Sequence, residues 1–262
     1  MIHRSFRMFS TIMVVFTVIK DIIYMLRCPA CGSSLIAGDD SVVCSLCGAK
    51  YRVEDHRIID FLQRKEGWVS VFERMPELYD IWSRIGWRIS GRGSLKGFYE
   101  ELAYDLVQGY LIDIGCGTGT LLSILESKGY RGIMIGLDIS IQMIRAASRK
   151  TRRAVFIRSS MDNIPLKDGI IDHYISSLAI HIAEDKQRVF REMSRVLKKE
   201  GNIRIAIAVR DSMRGRIFSK LLKIKTLEER EYIKMLETTG IRVTGLKRYG
   251  AFTTIYGIKD RL

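Results

Sequence analysis

Amide side chains are scarce in this chain of 262 residues: two Asn and four Gln stand against 43 Lys and Arg. That imbalance matches a thermophilic composition. Cysteine is also sparse, at five residues, and four of them fall into two C-x-x-C pairs. This excludes a secreted disulfide framework and points to metal in a reducing cytosol. Acids number only 29, so the net charge is +14; RNA, DNA or an anionic membrane surface are the natural partners of such a chain. No run reaches the roughly 20 consecutive apolar residues that a membrane-spanning helix needs. The 47% hydrophobic content is that of a globular protein, with room for one large domain and one small one.

The longest apolar run, Met8 to Ile19, follows a basic start and is broken by Lys20 and Asp21. No small-residue cleavage site follows, so it fits a signal peptide poorly. Three readings of residues 1–24 stand. They are an extension preceding a true start at Met25, a helix lying on a membrane surface, or a helix packed on the domain.

Residues 25–62 form the small module. Cys28, Cys31, Cys44 and Cys47 are spaced C-x2-C, twelve residues, C-x2-C, and each pair is followed by a Gly. Two thiolates two residues apart can face one ion, and four complete a closed tetrahedral shell, the pattern of structural Zn2+. So small a segment draws its folding energy from the metal. With GAKYRVEDHRIIDFL after it, the module resembles the zinc ribbon that serves as activator subunit of RNA- and protein-modifying methyltransferases. It is also similar to the N-terminal zinc module of ribosomal RNA guanine methyltransferases. The resemblance implies a protein partner met through the ribbon. His56 reads as a surface residue, since four Cys leave no vacancy in the shell.

Residues 63–105 read as a helical linker and cap, with aromatics (Trp68, Phe72, Tyr79, Trp82, Trp87) among charges. Core packing is their simplest role. Beside Arg84, Arg88 and Arg92 they also suit a nucleobase platform.

The organising stretch is LIDIGCGTGT, residues 111–120: an apolar strand, Gly at 115, 117 and 119, then an amphipathic helical run. Glycines there let backbone approach a ligand closely. A second apolar strand ends in Asp138, nineteen residues past Gly119, where a carboxylate can accept from both hydroxyls of a ribose. Together with IPLKDG and IIDHYISS, this resembles the class I S-adenosylmethionine (SAM) methyltransferases over about residues 106–260. The resemblance implies an α/β, Rossmann-like, seven-stranded sheet with helices on both faces, in a domain of residues 106–262. It assigns Asp113, Ile114, Gly115, Cys116, Gly117 and Gly119 to the methionine and ribose side of SAM, and Asp138 and Ile139 to the ribose. Ser160, Met161 and Asp162 fall to the adenine. Ser160 stands where relatives carry an acid, and Asp162 is displaced by two. Ser177, which closes the fourth strand, is likewise assigned to the cofactor.

Methyl transfer needs chiefly alignment, and a dedicated base is optional. His181 is the candidate acid or base, with a structural role as its alternative. No Asn-Pro-Pro-Tyr follows the fourth strand, and the fifth Cys, Cys116, lies inside the glycine loop, which argues against covalent carbon methylation. Glu192 and Arg195 read as a surface pair. The function expected first is cytoplasmic methylation of an RNA base. Its phosphate stripe would be Arg145, Arg149, Lys150, Arg152, Arg153 and Arg158, a stretch free of acids. The alternatives are methylation of a quinone or other metabolite, and a SAM-binding zinc protein acting with a partner.

Overall fold

The computed structural model describes residues 19, 21–38, 40–62 and 76–261. Most of the apolar leader, together with Trp68 and Phe72, lies outside them. Four short strands come first: β1 (Leu35–Ala37), β2 (Ser41–Cys44), β3 (Lys50–Glu54) and β4 (Ile58–Asp60). Two helices, α1 (Pro76–Ser90) and α2 (Leu95–Leu102), precede the alternating part. That part runs β5 (Gln108–Ile114), α3 (Thr120–Ser127), β6 (Arg131–Asp138), α4 (Ile141–Lys150), β7 (Val155–Arg158), β8 (Ile171–Ser177), α5 (Lys186–Val196) and β9 (Leu197–Ala208). It closes with α6 (Met213–Leu222), α7 (Glu229–Glu237), β10 (Ile241–Tyr249) and β11 (Phe252–Lys259).

The sheet has eleven strands, where the sequence suggests seven and a separate ribbon. Its order is β1-β2-β3-β4-β7-β6-β5-β8-β9-β11-β10. The expected seven are the last seven of this series; the ribbon adds the other four. The reason is an open edge. β7 would expose its backbone groups, and β4 covers them in parallel register, Ile58 opposite Phe156 and Asp60 opposite Arg158.

Strand alternation sends Ile112 and Ile114 to one face of the sheet and Leu111 to the other, and each face has its own buried cluster. One cluster holds α2, α3 and α4 residues such as Phe98, Leu122 and Ile144. The other holds Phe190 and Met193 of α5 together with ribbon residues Val42, Tyr51 and Ile59, so the ribbon shares a core with the large domain. Ile22 and Met25 are buried in that same cluster. Arg57 bonds the carbonyls of Ser148 and Thr151, both at 2.8 Å, at the C-terminal end of α4, where a cation suits the helix dipole.

Strand β5 pairs with β6 from Gln108 onward, and β9 carries Glu200 at φ 63° within it. One local expectation changes. Glu192 and Arg195 are not a surface pair: their side chains are largely covered, and they clamp the 164–168 loop. Arg195 donates to the carbonyls of Leu166 and Ile164, while Glu192 accepts from the Ile164 amide.

Candidate active site

The three loop glycines do different work. A Cβ on Gly115 would lie 2.2 Å from the Ala179 Cβ, and one on Gly119 would lie 2.8 Å from the Ala147 Cβ, so both are required by packing. Gly117 meets only Tyr79, at 3.6 Å, and faces open space. All three have positive φ. The loop is tied to the next strand: the amides of Gly115 and Cys116 donate to the Leu137 carbonyl, at 2.8 and 3.1 Å.

Asp138 ends β6 beside this loop. One carboxylate oxygen accepts from the Gly117 amide and the other from the Ser140 amide, each at 2.9 Å. Ser140 in turn caps α4. The carboxylate is thus pre-positioned, and each oxygen retains acceptor capacity.

Two cavities adjoin the loop. The first, about 640 Å³, is bounded by Asp138, Ile139, Ser160, Met161 and Asp162, with Met143 of α4 on its wall. The second, about 890 Å³, lies beneath α1 and α2 and is walled by Trp87, Leu95, Tyr99, Leu121 and Ile124, with Arg84 and Arg88 on α1. They share Tyr79, Gly115, Gly117 and Ser177. Cys116 lines the second cavity and is otherwise buried, which pushes its thiol well above the usual range.

Other assigned residues stand back from the space. Asp113 is fully buried, with no partner for either carboxylate oxygen. Burial, and secondarily the Asp138 charge, push its carboxyl well above the usual carboxylate range. Ile114 is buried in the core and Gly119 abuts α4. His181 is buried on neither cavity wall; its Nδ1 accepts from the Ala208 amide at 3.4 Å, and burial lowers its pKa to about 4.

Tyr99 is the site residue that sequence patterns miss, and Tyr79, read from sequence as core packing or a stacking platform, joins it on the cavity walls. Tyr99 is hydrogen-bonded to Ser177, and burial raises both phenols, so they stay protonated. α1 is latched over the loop by Asp80, which accepts from Thr118 Oγ1 at 2.6 Å and from Lys150. Trp87 is a core residue rather than an open stacking platform, stacked on Phe252 with centroids 5.5 Å apart.

Four of the six residues of the expected phosphate stripe are engaged within the fold. Arg145 pairs with Glu54, Lys150 with Asp80, and Arg158, almost fully buried, with Asp60. Arg153 donates to the Tyr130 carbonyl. These cations hold the ribbon, α1 and the sheet together.

In the ribbon, the four Sγ atoms of Cys28, Cys31, Cys44 and Cys47 all lie within 4.8 Å of one another. The Cys28–Cys47 and Cys31–Cys44 separations are 3.7 and 3.4 Å. A tetrahedral zinc with Zn–S near 2.3 Å sets sulfurs about 3.8 Å apart, so the cluster fits that ion.

The methyltransferase domain model matches residues 112–205. An uncharacterised protein of Methanocaldococcus jannaschii is 29% identical over 196 residues, 74% of this chain and 89% of that one. Demethylmenaquinone methyltransferase of Thermotoga maritima is 28% identical over 161 residues, 59% of this chain and 69% of that one. Among solved structures, a Haloferax volcanii methyltransferase in complex with the Trm112 methyltransferase activator superposes with a TM-score of 0.63. It is 17% identical and covers 74% of this chain and 100% of that one. The fold is that of the class I methyltransferases. The chain is a SAM-dependent methyltransferase. No helix among the described residues is long and apolar enough to cross a membrane.

Proposed function

We propose that SAM occupies the cavity beside Asp138 and that a small acceptor enters the cavity beneath α1, the two meeting at Tyr79, Gly115, Gly117 and Ser177. The observation that carries this reading is that shared wall: two chambers open on one glycine loop, as an in-line transfer requires. SAM supplies a methyl group already activated on a sulfonium. Asp138 receives the ribose hydroxyls, Ser160, Met161 and Asp162 bound the adenine end, and Gly117 lets the cofactor approach backbone. The buried, unpartnered Asp113 lies beneath the loop with its carboxyl held toward the neutral form, so its part in this reading is to shape the loop rather than to bind SAM by charge.

Among the described residues that line it, the acceptor chamber offers no unengaged base. Its phenols and thiol are held protonated, and Asp80 is engaged by Lys150 and Thr118. The acceptor therefore brings its own reactive nucleophile. A small molecule suits this largely apolar chamber, and four of the six cations expected to meet RNA phosphates are engaged within the fold. Named relatives act on demethylmenaquinone and on malonyl-[acyl-carrier protein]. Zn2+ on Cys28, Cys31, Cys44 and Cys47 is structural in this reading. The ribbon already lies on the sheet edge, so the chain carries its own activator-like module.

The test is transfer of labelled methyl from SAM to metabolite, lipid and RNA fractions of the source organism. Label in the small-molecule or lipid fraction is expected; RNase-sensitive label alone restores the RNA reading. Asp138→Ala is expected to weaken SAM binding by about 10- to 100-fold by calorimetry, the loss of hydrogen bonds to a charged group.

A further inference from the structure

We propose that the face formed by α1 and α6 docks on an anionic lipid bilayer. On α1, Ile81, Ile85 and Ile89 recur every fourth residue with Trp82 beside them, and all four are 44–71% exposed. On α6, Met213, Ile217 and Leu221 repeat the spacing with Leu222 beside them, 52–76% exposed. Phe218, on the opposite side of α6, packs inward on Phe252. The two helices touch, and Arg214 of α6 donates to the Gly91 carbonyl just past α1.

Charge identifies what covers these stripes. Between Ile81 and Tyr99 there are four Lys or Arg and no acid; between Met213 and Leu227 there are five and no acid. Apolar ridges flanked by one-signed cationic side chains are the pattern of helices that lie in a membrane interface, where long basic side chains reach the headgroups. A protein partner of ordinary charge balance would not select against every acid. RNA would use the cations and leave the isoleucines in water. At 15 and 10 residues the helices are too short to span, so they lie flat.

Arg84 and Arg88 on the same helix border the cavity beneath it. If that cavity receives the acceptor, as proposed above, the docked helix is also one of its walls, which places the site beside the bilayer from which a lipophilic acceptor would come.

The test uses the full chain and sedimentation with phosphatidylcholine vesicles, with and without phosphatidylglycerol. Binding is expected only with phosphatidylglycerol and is expected to decline with salt. The pairs Ile217→Glu with Leu221→Glu, and Lys220→Glu with Lys223→Glu, should each weaken it about tenfold or more while SAM binding and melting temperature hold. Trp82 emission should shift to the blue on adding vesicles, a shift lost in Trp82→Phe. Binding that survives both pairs places attachment elsewhere in the chain and overturns the proposal. So does absence of vesicle binding, or charge reversal that abolishes only RNA binding. None of these readouts depends on methyl transfer, so the docking face and the acceptor assignment fail separately.

Discussion

At the scale of single residues, the glycine loop separates folding from binding. Gly115→Ala forces a methyl into Ala179 at positive φ and is expected to cost about 2–5 kcal/mol of stability, read as a lowered denaturation midpoint. Gly117→Ala has space and bears only the backbone strain, about 1 kcal/mol, so it should fold and lose SAM affinity instead. Asp113 makes a different prediction. Its folded pKa is raised by burial above the unfolded value of about 3.9. The stability tied to its neutral form is fully present below that value and is lost as pH rises through the raised folded pKa, at about 1.4 kcal/mol per unit of separation. Asp113→Asn should therefore lose less melting temperature than the parent between about pH 5 and about pH 8. The sequence marks Asp113, Gly117 and Asp138 because their spacing is set by one strand, one turn and one helix. It is silent on Tyr99 and gives Tyr79 no place at the loop, because both positions depend on how α1 and α2 pack from outside the repeating unit.

At the scale of elements, the ribbon and the sheet support each other. Four cysteines converge at the knuckles, β4 completes the edge of β7, and Arg57 closes the end of α4. Elemental analysis is expected to find one zinc per chain. Chelation should lower the melting temperature by on the order of 10 °C, because losing the metal frees β1 to β4 and uncovers the β7 edge as well. Cys44→Ser should behave as the chelated protein does. The order of strands and helices from residue 106 onward is legible from apolar periodicity and turn residues. The join of ribbon to sheet is not, because parallel pairing between distant strands leaves no local pattern. The basic stretch from Arg145 to Arg158 misleads for a related reason: its partners, Glu54, Asp60 and Asp80, come from a remote part of the chain.

At the scale of the whole molecule, the ribbon strands and the large domain share one sheet, and in the proposed reading the ribbon stands in for a separate activator. Transfer by the purified protein should scale linearly with its concentration and should not rise when a separately expressed ribbon-type activator is added. A rise would mean that the resident ribbon does not serve this role. The net charge of +14 divides accordingly. Part is used inside the fold as clamps between segments, and part is gathered on the face of α1 and α6.

The pairing of β4 with β7 also has a consequence in time. About a hundred residues separate the two strands. At a synthesis rate of about 5–20 residues per second, β4 leaves the ribosome on the order of ten seconds before its neighbour exists. During that interval it is an uncovered strand edge on a nascent chain, open to pairing with another copy. If the four cysteines take up metal as proposed, early capture fixes the knuckles and keeps β4 in one shape until β7 arrives. The yield of native protein is then expected to follow zinc supply during translation, a dependence read by comparing folded yield from zinc-replete and zinc-limited expression.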